Sequence, residues 1–112
     1  MSATKKAPVP VSPATFDATV LANPGITLVD FHASWCAPCR AIAPSLEAIA
    51  RERAILVAKV DTEEHPSLAV RFQVTGLPTL LVFKGGKLVE RIVGALSRPR
   101  LEQRISAADA RG

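Results

Sequence analysis

No stretch of the chain is apolar for long enough to span a bilayer, and the first twelve residues, MSATKKAPVPVS, hold two lysines but no apolar run of signal-peptide length. The expectation is a cytoplasmic protein without a membrane contact. Tyrosine is absent, and four phenylalanines and one tryptophan are the only aromatic residues. A surface excess of one charge is also missing: of a formal net charge of +4, residues 13–97 contribute nothing, with eight Lys/Arg against eight Asp/Glu. The surplus sits in Lys5, Lys6, Arg98, Arg100, Arg104 and Arg111. A neutral body with basic ends and few rings lacks the basic face interleaved with stacking side chains that nucleic-acid binding needs. There are only two cysteines and two histidines. In a reducing compartment a close cysteine pair argues for catalysis or a metal rather than for a structural staple. No internal repeat or low-complexity segment is found.

What is present suffices for one domain and no more. The chain has 112 residues, 48% of them apolar, enough for one core. Residues 1–12 read as a mobile tail or at most a short edge strand, and residues 13–112 as a single domain. Ser12-Pro13 looks like an N-cap followed by a first-turn proline, opening a helix over about 13–22 with Phe16 and Val20 on one face. Asn23-Pro24-Gly25 ends it, and Ile26 to Phe31 is an apolar β-type run whose one charge is Asp30. From about 36 to 53, Ile42, Leu46, Ile49 and Ala50 recur at helical spacing opposite Glu47, Arg51 and Glu52, with Pro44 inside the helix as an expected kink. Ala54 to Val60 is a second buried-strand pattern, so strand–helix–strand with a right-handed crossover and parallel strands is expected. A short helix near 66–72 follows. Then come two β runs, Thr79–Phe83 and Leu88–Val93, around the hairpin signal Lys84-Gly85-Gly86-Lys87, and a last helix capped by Ser97 with Leu101, Ile105 and Ala108 inward. The fold class is therefore α/β: a mixed sheet of four to five strands flanked by about four helices.

The chemistry is concentrated in Trp35-Cys36-Ala37-Pro38-Cys39-Arg40, where a strand ends and a helix begins. A thiol at a helix N-terminus meets unpaired amides and the positive end of the helix dipole, which favour the thiolate. Cys39, three residues on, lies on the same side of the first turn, within reach of a mixed disulfide on Cys36. Pro38 stiffens that turn. Two other readings stand beside this one. The pair would make half of a zinc site, but His32 and His65 do not have the spacing of a second half. It would also fit two buried structural thiols, against which an exposed junction and an adjacent Trp35 argue. Asp30 has its own physical case, because a carboxylate inside a buried strand is desolvated and its pKa rises toward the range useful for proton transfer.

An ordered set of segments between about Phe16 and Ile105 resembles the thioredoxin family. It comprises Val29-Asp30-Phe31, Trp35-Cys36-Ala37-Pro38-Cys39-Arg40, Ala43-Pro44, Val60-Asp61, Gly76-Leu77-Pro78-Thr79 and Val93-Gly94-Ala95. The resemblance implies the thioredoxin fold, with Cys36 as attacking thiol, Cys39 as resolving thiol and Pro78 as a cis-proline beside them. It also implies that Asp30 is the general acid and base for Cys39, with Lys59 as its neighbour; a purely structural Asp30–Lys59 ion pair is the alternative. Trp35, Gly76, Leu77, Pro78, Gly94 and Ala95 would form an apolar rim for substrate, with the backbone of Leu77 pairing to an extended segment. The implied activity is reduction of protein disulfides by a monomer without a bound cofactor, recharged by an NADPH-dependent thioredoxin reductase.

The chain departs from the family pattern at three places. His32 stands where a second tryptophan is usual, Ala37-Pro38 where Gly-Pro is commonest, and Arg40 where lysine is frequent. Ala37, Pro38 and His32 are thus candidate modulators: a protonated His32 close to Cys36 would stabilise the thiolate and make the disulfide more oxidising, whereas a solvated His32 would do nothing. Competing functions are a disulfide oxidant or isomerase, and a binding or scaffold subunit that uses the fold without its redox chemistry.

Overall fold

A computed structural model describes residues 6–111. Five strands form one sheet in the order β1-β3-β2-β4-β5: β1 is Val9–Pro10, β2 Ile26–His32, β3 Leu56–Asp61, β4 Thr79–Lys84 and β5 Lys87–Val93. Three α-helices accompany them, α1 at Ala37–Glu52, α2 at Pro66–Arg71 and α3 at Arg98–Arg111. β2 is central and buried along its length as far as Phe31, the condition under which a strand reads as a continuous apolar run. It pairs parallel with β3, placing Asp30 opposite Lys59, and antiparallel with β4, placing Asp30 opposite Leu80.

Strand alternation divides the core into two layers. Ile26 and Leu28 of β2 face α1 and α3, meeting Ile42, Leu46 and Ile49 and then Leu101, Ile105 and Ala108. Val29 and Phe31 face the other way, toward Phe16, Val20 and Leu68. Asp30 therefore belongs by parity to the α1 face. α1 continues through Pro44, and every apolar position expected of it is buried.

The first helix differs from its expected form. Phe16 and Val20 are buried as anticipated, but Asp17–Leu21 is a π-helical turn, in which the Ala22 amide donates to the Asp17 carbonyl at 3.0 Å, five residues back. Ser12 does not cap it with its side chain. Its carbonyl accepts from the amides of Thr15 and Phe16, and its hydroxyl meets that of Thr15. Ahead of it, Val9 and Pro10 pair with Ala58 and Lys59 as an edge strand, and Val11 is buried. Residues 1–5, within the segment expected to be a tail, lie outside the described residues.

The basic C-terminal helix is largely neutralised by its own neighbours. Arg98 meets Glu52 at 2.6 Å and Glu102 at 2.8 Å, and Arg104 meets Glu90 at 2.9 Å. Arg104 and Arg111 also donate to the carbonyls of Arg91 and Val89 on the outer strand β5.

The β4–β5 hairpin turns through Gly85 (φ +58°) and Gly86 (φ +79°), two consecutive left-handed residues of the kind a two-residue hairpin requires. A Cβ on Gly86 would collide with the Leu21 backbone carbonyl, whereas one on Gly85 would find only the Pro24 carbonyl at 3.7 Å. Gly86→Ala is expected to cost about 2 kcal/mol or more and Gly85→Ala about 1 kcal/mol, read from urea unfolding midpoints. Equal losses at the two sites would show that the Leu21 contact carries no weight.

Candidate active site

Cys36 is the N-cap of α1, with extended dihedrals (φ −89°, ψ 103°) that turn the chain from the strand end into the helix. Ala37 and Pro38 fill the first two helical positions, where a proline loses no hydrogen bond. The Cys39 amide donates to Cys36 Sγ at 3.2 Å, so a backbone N–H at the positive end of the helix already addresses that sulfur. Cys36 and Cys39 are joined as a disulfide, with Cα atoms 5.3 Å apart. A disulfide offers a metal no thiolate, and among the described residues no three His, Cys, Asp or Glu side chains are grouped so as to hold a metal ion.

The junction is less open than the sequence suggests. Ser34, Trp35, Ala37, Pro38 and Arg40 are exposed, but Cys36 is only 3% and Cys39 5% exposed, packed with Ala33 and Leu77. The aliphatic side chain of Leu77 covers the pair from the β4 side. The Leu77–Pro78 peptide is cis, and Pro78 is buried at the start of β4.

Asp30 lies beneath this turn. It is 3% exposed, and its Oδ1 has no hydrogen-bond partner. Burial pushes its pKa up from the usual 3.8 to about 6, against the opposing pull of the Lys59 ammonium. The two side chains form no ion pair within 4.0 Å, so the structural-pair alternative for Asp30 lacks its contact. Asp30, Lys59, His32 and Cys39 instead line a common cleft of about 230 Å³ that also reaches Ala43 and Arg40. Water is admitted by a space of that size with several polar walls.

His32, at the end of β2, is half-buried beside Asp61 in the β3 register. Its pKa is lowered, first by burial and then by Lys59, with Asp61 opposing. Burial and Lys59 both favour the neutral imidazole over the charged state that would strengthen the Cys36 thiolate.

A second groove, of about 250 Å³, lies between Trp35, which is 68% exposed, and Gly76-Leu77, with Ala69, Val74, Thr75 and Thr62 also lining it. Gly94 (φ +97°) is tied to this region by its amide, which donates to the Pro78 carbonyl at 2.9 Å. Ala95 follows it, exposed, and is not among the groove-lining residues. Of the expected rim, Trp35, Gly76 and Leu77 are thus brought together, with Pro78 and Gly94 joined behind them. Thr62, Val74 and Thr75 were not expected there. Outside the groove, Glu63 accepts hydrogen bonds from Ser34, a contact also not foreseen. Ser34 and Glu63 are 29 positions apart and belong to no motif, so no local signal pairs them.

A protein-family model described as thioredoxin matches residues 7–107. The chain belongs to the thioredoxin family. It is 46% identical over 104 residues to a thioredoxin of Mycobacterium tuberculosis, covering 91% of this chain and 90% of that one. It is 44% identical over 100 residues to a bifunctional thioredoxin reductase/thioredoxin of Mycobacterium leprae, covering 88% of this chain and 22% of the longer protein. Among solved structures, a mutant thioredoxin from Halobacterium salinarum superposes with a TM-score of 0.88 at 33% identity, covering 97% and 96% of the two chains. The thioredoxin fold expected from the sequence is borne out. With its cysteine pair at disulfide distance, this family member is a thiol–disulfide oxidoreductase of the protein-disulfide reductase kind, and its redox group is the Cys36–Cys39 disulfide itself.

Proposed function

We propose that the chain reduces disulfides in partner proteins, with Cys36 attacking and Cys39 resolving. The observation that carries this division is the placement of Cys36 at the helix N-cap, where its sulfur faces the Cys39 amide, while Cys39 adjoins the cleft of Asp30. In the reduced protein the amide and the helix dipole favour a Cys36 thiolate. That thiolate attacks a substrate disulfide, forming a mixed disulfide and releasing one substrate sulfur. Cys39 then passes its proton to the Asp30 carboxylate and attacks Cys36 Sγ. The Cys36–Cys39 bond forms, the bond from Cys36 to substrate breaks, and the second substrate sulfur leaves with the electron pair.

Lys59 supports the charged form of Asp30 from across the strand pair, and Pro78, Gly94 and Ala95 complete the surface begun by Trp35, Gly76 and Leu77. The apolar groove suits an extended segment of a protein substrate, held in part by the Leu77 backbone. Ala37 and Pro38 set the stiffness of the active-site turn, and His32, uncharged, leaves the thiolate unaided. The fused mycobacterial relative supports an NADPH-dependent thioredoxin reductase as the electron donor. We place the protein in the cytoplasm as a monomer. Among the described residues no helix is long and apolar enough to cross a membrane. We take residues 13–112 as one domain, joined by residues 9–11 of the preceding segment, which pair with β3 and reach its core.

The test is the equilibrium reduction potential of the pair in a dithiothreitol or glutathione buffer. A value near about −270 mV is expected for a reductant, whereas about −180 to −120 mV would make the protein an oxidant or isomerase.

A further inference from the structure

Every polar group of Ser34 is held by a side chain from elsewhere in the fold. Its amide and its hydroxyl both donate to Glu63 Oε1, at 3.2 and 2.7 Å, and its carbonyl accepts from Arg40 Nη1 at 2.6 Å. Two residues earlier, at the end of β2, the His32 carbonyl accepts from the Thr62 amide at 2.9 Å and from the Thr62 hydroxyl at 3.0 Å. Residues 62 and 63 therefore grip residues 32–34 with four hydrogen bonds. The gripping turn is itself pre-formed, because Asp61 Oδ1 accepts from the amides of Glu63 and Glu64 at 2.9 and 3.4 Å.

The residue immediately after this clamp is Trp35, whose ring is mostly exposed and is one wall of the substrate groove, with Thr62 lining the same groove. A large exposed side chain on a free loop would sample many orientations, and a partner would have to arrest it on binding. With Ser34 fixed on three sides, the backbone entering Trp35 has one arrangement before any partner arrives. We propose that Glu63 is a positioning residue that, by clamping Ser34, pre-orients Trp35 and so sets the affinity for protein substrates without touching the sulfur chemistry. The clamp is distinct from the Cys36 N-cap contacts, so it acts on binding rather than on the thiolate. The inference rests on the proposal that the Trp35 groove receives the substrate.

The experiment compares Glu63→Ala, Glu63→Gln and Trp35→Ala in the full chain, against a protein disulfide substrate and a small aromatic disulfide, with the pH dependence of Cys36 alkylation as control. Glu63→Ala should raise KM for the protein substrate about 5-fold, the size expected from losing the pair of bonds to one loop, with kcat changed less than about 2-fold. The small disulfide, which does not fill the groove, should react as before, and the alkylation profile should not move. Glu63→Gln retains a carbonyl oxygen able to accept both Ser34 donors and should restore KM to within about 2-fold of the parent. A Gln variant as impaired as the Ala variant would make the charge of Glu63, not its clamp, the cause and would overturn the proposal. So would an unchanged KM in Glu63→Ala when Trp35→Ala raises it. If Trp35→Ala itself leaves KM unchanged, the groove reading has failed, and the clamp proposal with it.

Discussion

Cys39→Ser should accumulate a mixed disulfide between Cys36 and its substrate, while Cys36→Ser should form no adduct and reduce nothing. In both variants turnover is expected to fall by three orders of magnitude or more, in line with what removal of a covalent nucleophile does in other enzymes. The two losses differ in kind. Without Cys39 the first exchange proceeds, because the sulfur at the N-cap keeps its amide and its helix, but nothing within reach can displace the substrate. Without Cys36 the remaining thiol is 5% exposed, one turn into α1 and next to a carboxylate, with no direct path to a partner. Non-reducing electrophoresis followed by mass spectrometry of the trapped complex reads both outcomes. An adduct formed as readily through Cys39 in Cys36→Ser would exchange the two roles.

Asp30→Asn should slow the resolving step by about 100-fold or more, the usual weight of a positioned acid–base group, and at the same time make the protein more stable at pH 7. The stability effect follows from the carboxyl pKa of about 6 in the fold against an ordinary 3.8. Below pH 3.8 the carboxyl is protonated whether the chain is folded or not, and folding is indifferent to it. As pH rises from there, the unfolded chain ionises first, and folding must hold back or bury a charge. Stability therefore falls through this window and the cost is complete above pH 6, amounting to about 3 kcal/mol. Asparagine removes that slope. Urea unfolding of the two proteins should give a gap of about that size at pH 7 that closes toward pH 4. A gap constant with pH would mean that the carboxylate is not the source. The same substitution should erase the inflection near pH 6 in the single-turnover rate of the resolving step.

The residues that made these sites readable were those whose local surroundings already constrained them. Asp30 could be picked out because it interrupts an apolar run, and α1 because Ile42, Leu46 and Ile49 repeat at helical spacing against Glu47 and Arg51. The sulfur pair was legible from spacing and from its position between a strand and a helix. Its burial was not, because the cover comes from Leu77, nearly forty residues after Cys39 and in the bend before β4. The π-helical turn at Asp17–Leu21 has ordinary helical composition. Its wider hydrogen bond leaves Phe16 and Val20 buried just as an ordinary helix would, so no spacing rule separates the two. β1 has only two residues, and its strand character resides in the partner β3. The Ser34–Glu63 contact joins two polar surface residues that would read as solvated anywhere in the chain.

The outer strand β5 has its own bearing on how such a molecule survives among its clients. A reductase of protein disulfides meets chains that are partly opened, with backbone groups seeking a template, and an uncovered sheet margin is one. Here Arg104 and Arg111 of α3 occupy the Arg91 and Val89 carbonyls, anchored in turn by Glu90. An extended chain that approaches this margin meets two carbonyls already taken. The arginines that first gave the sequence its basic cast serve as a seam against unwanted zippering.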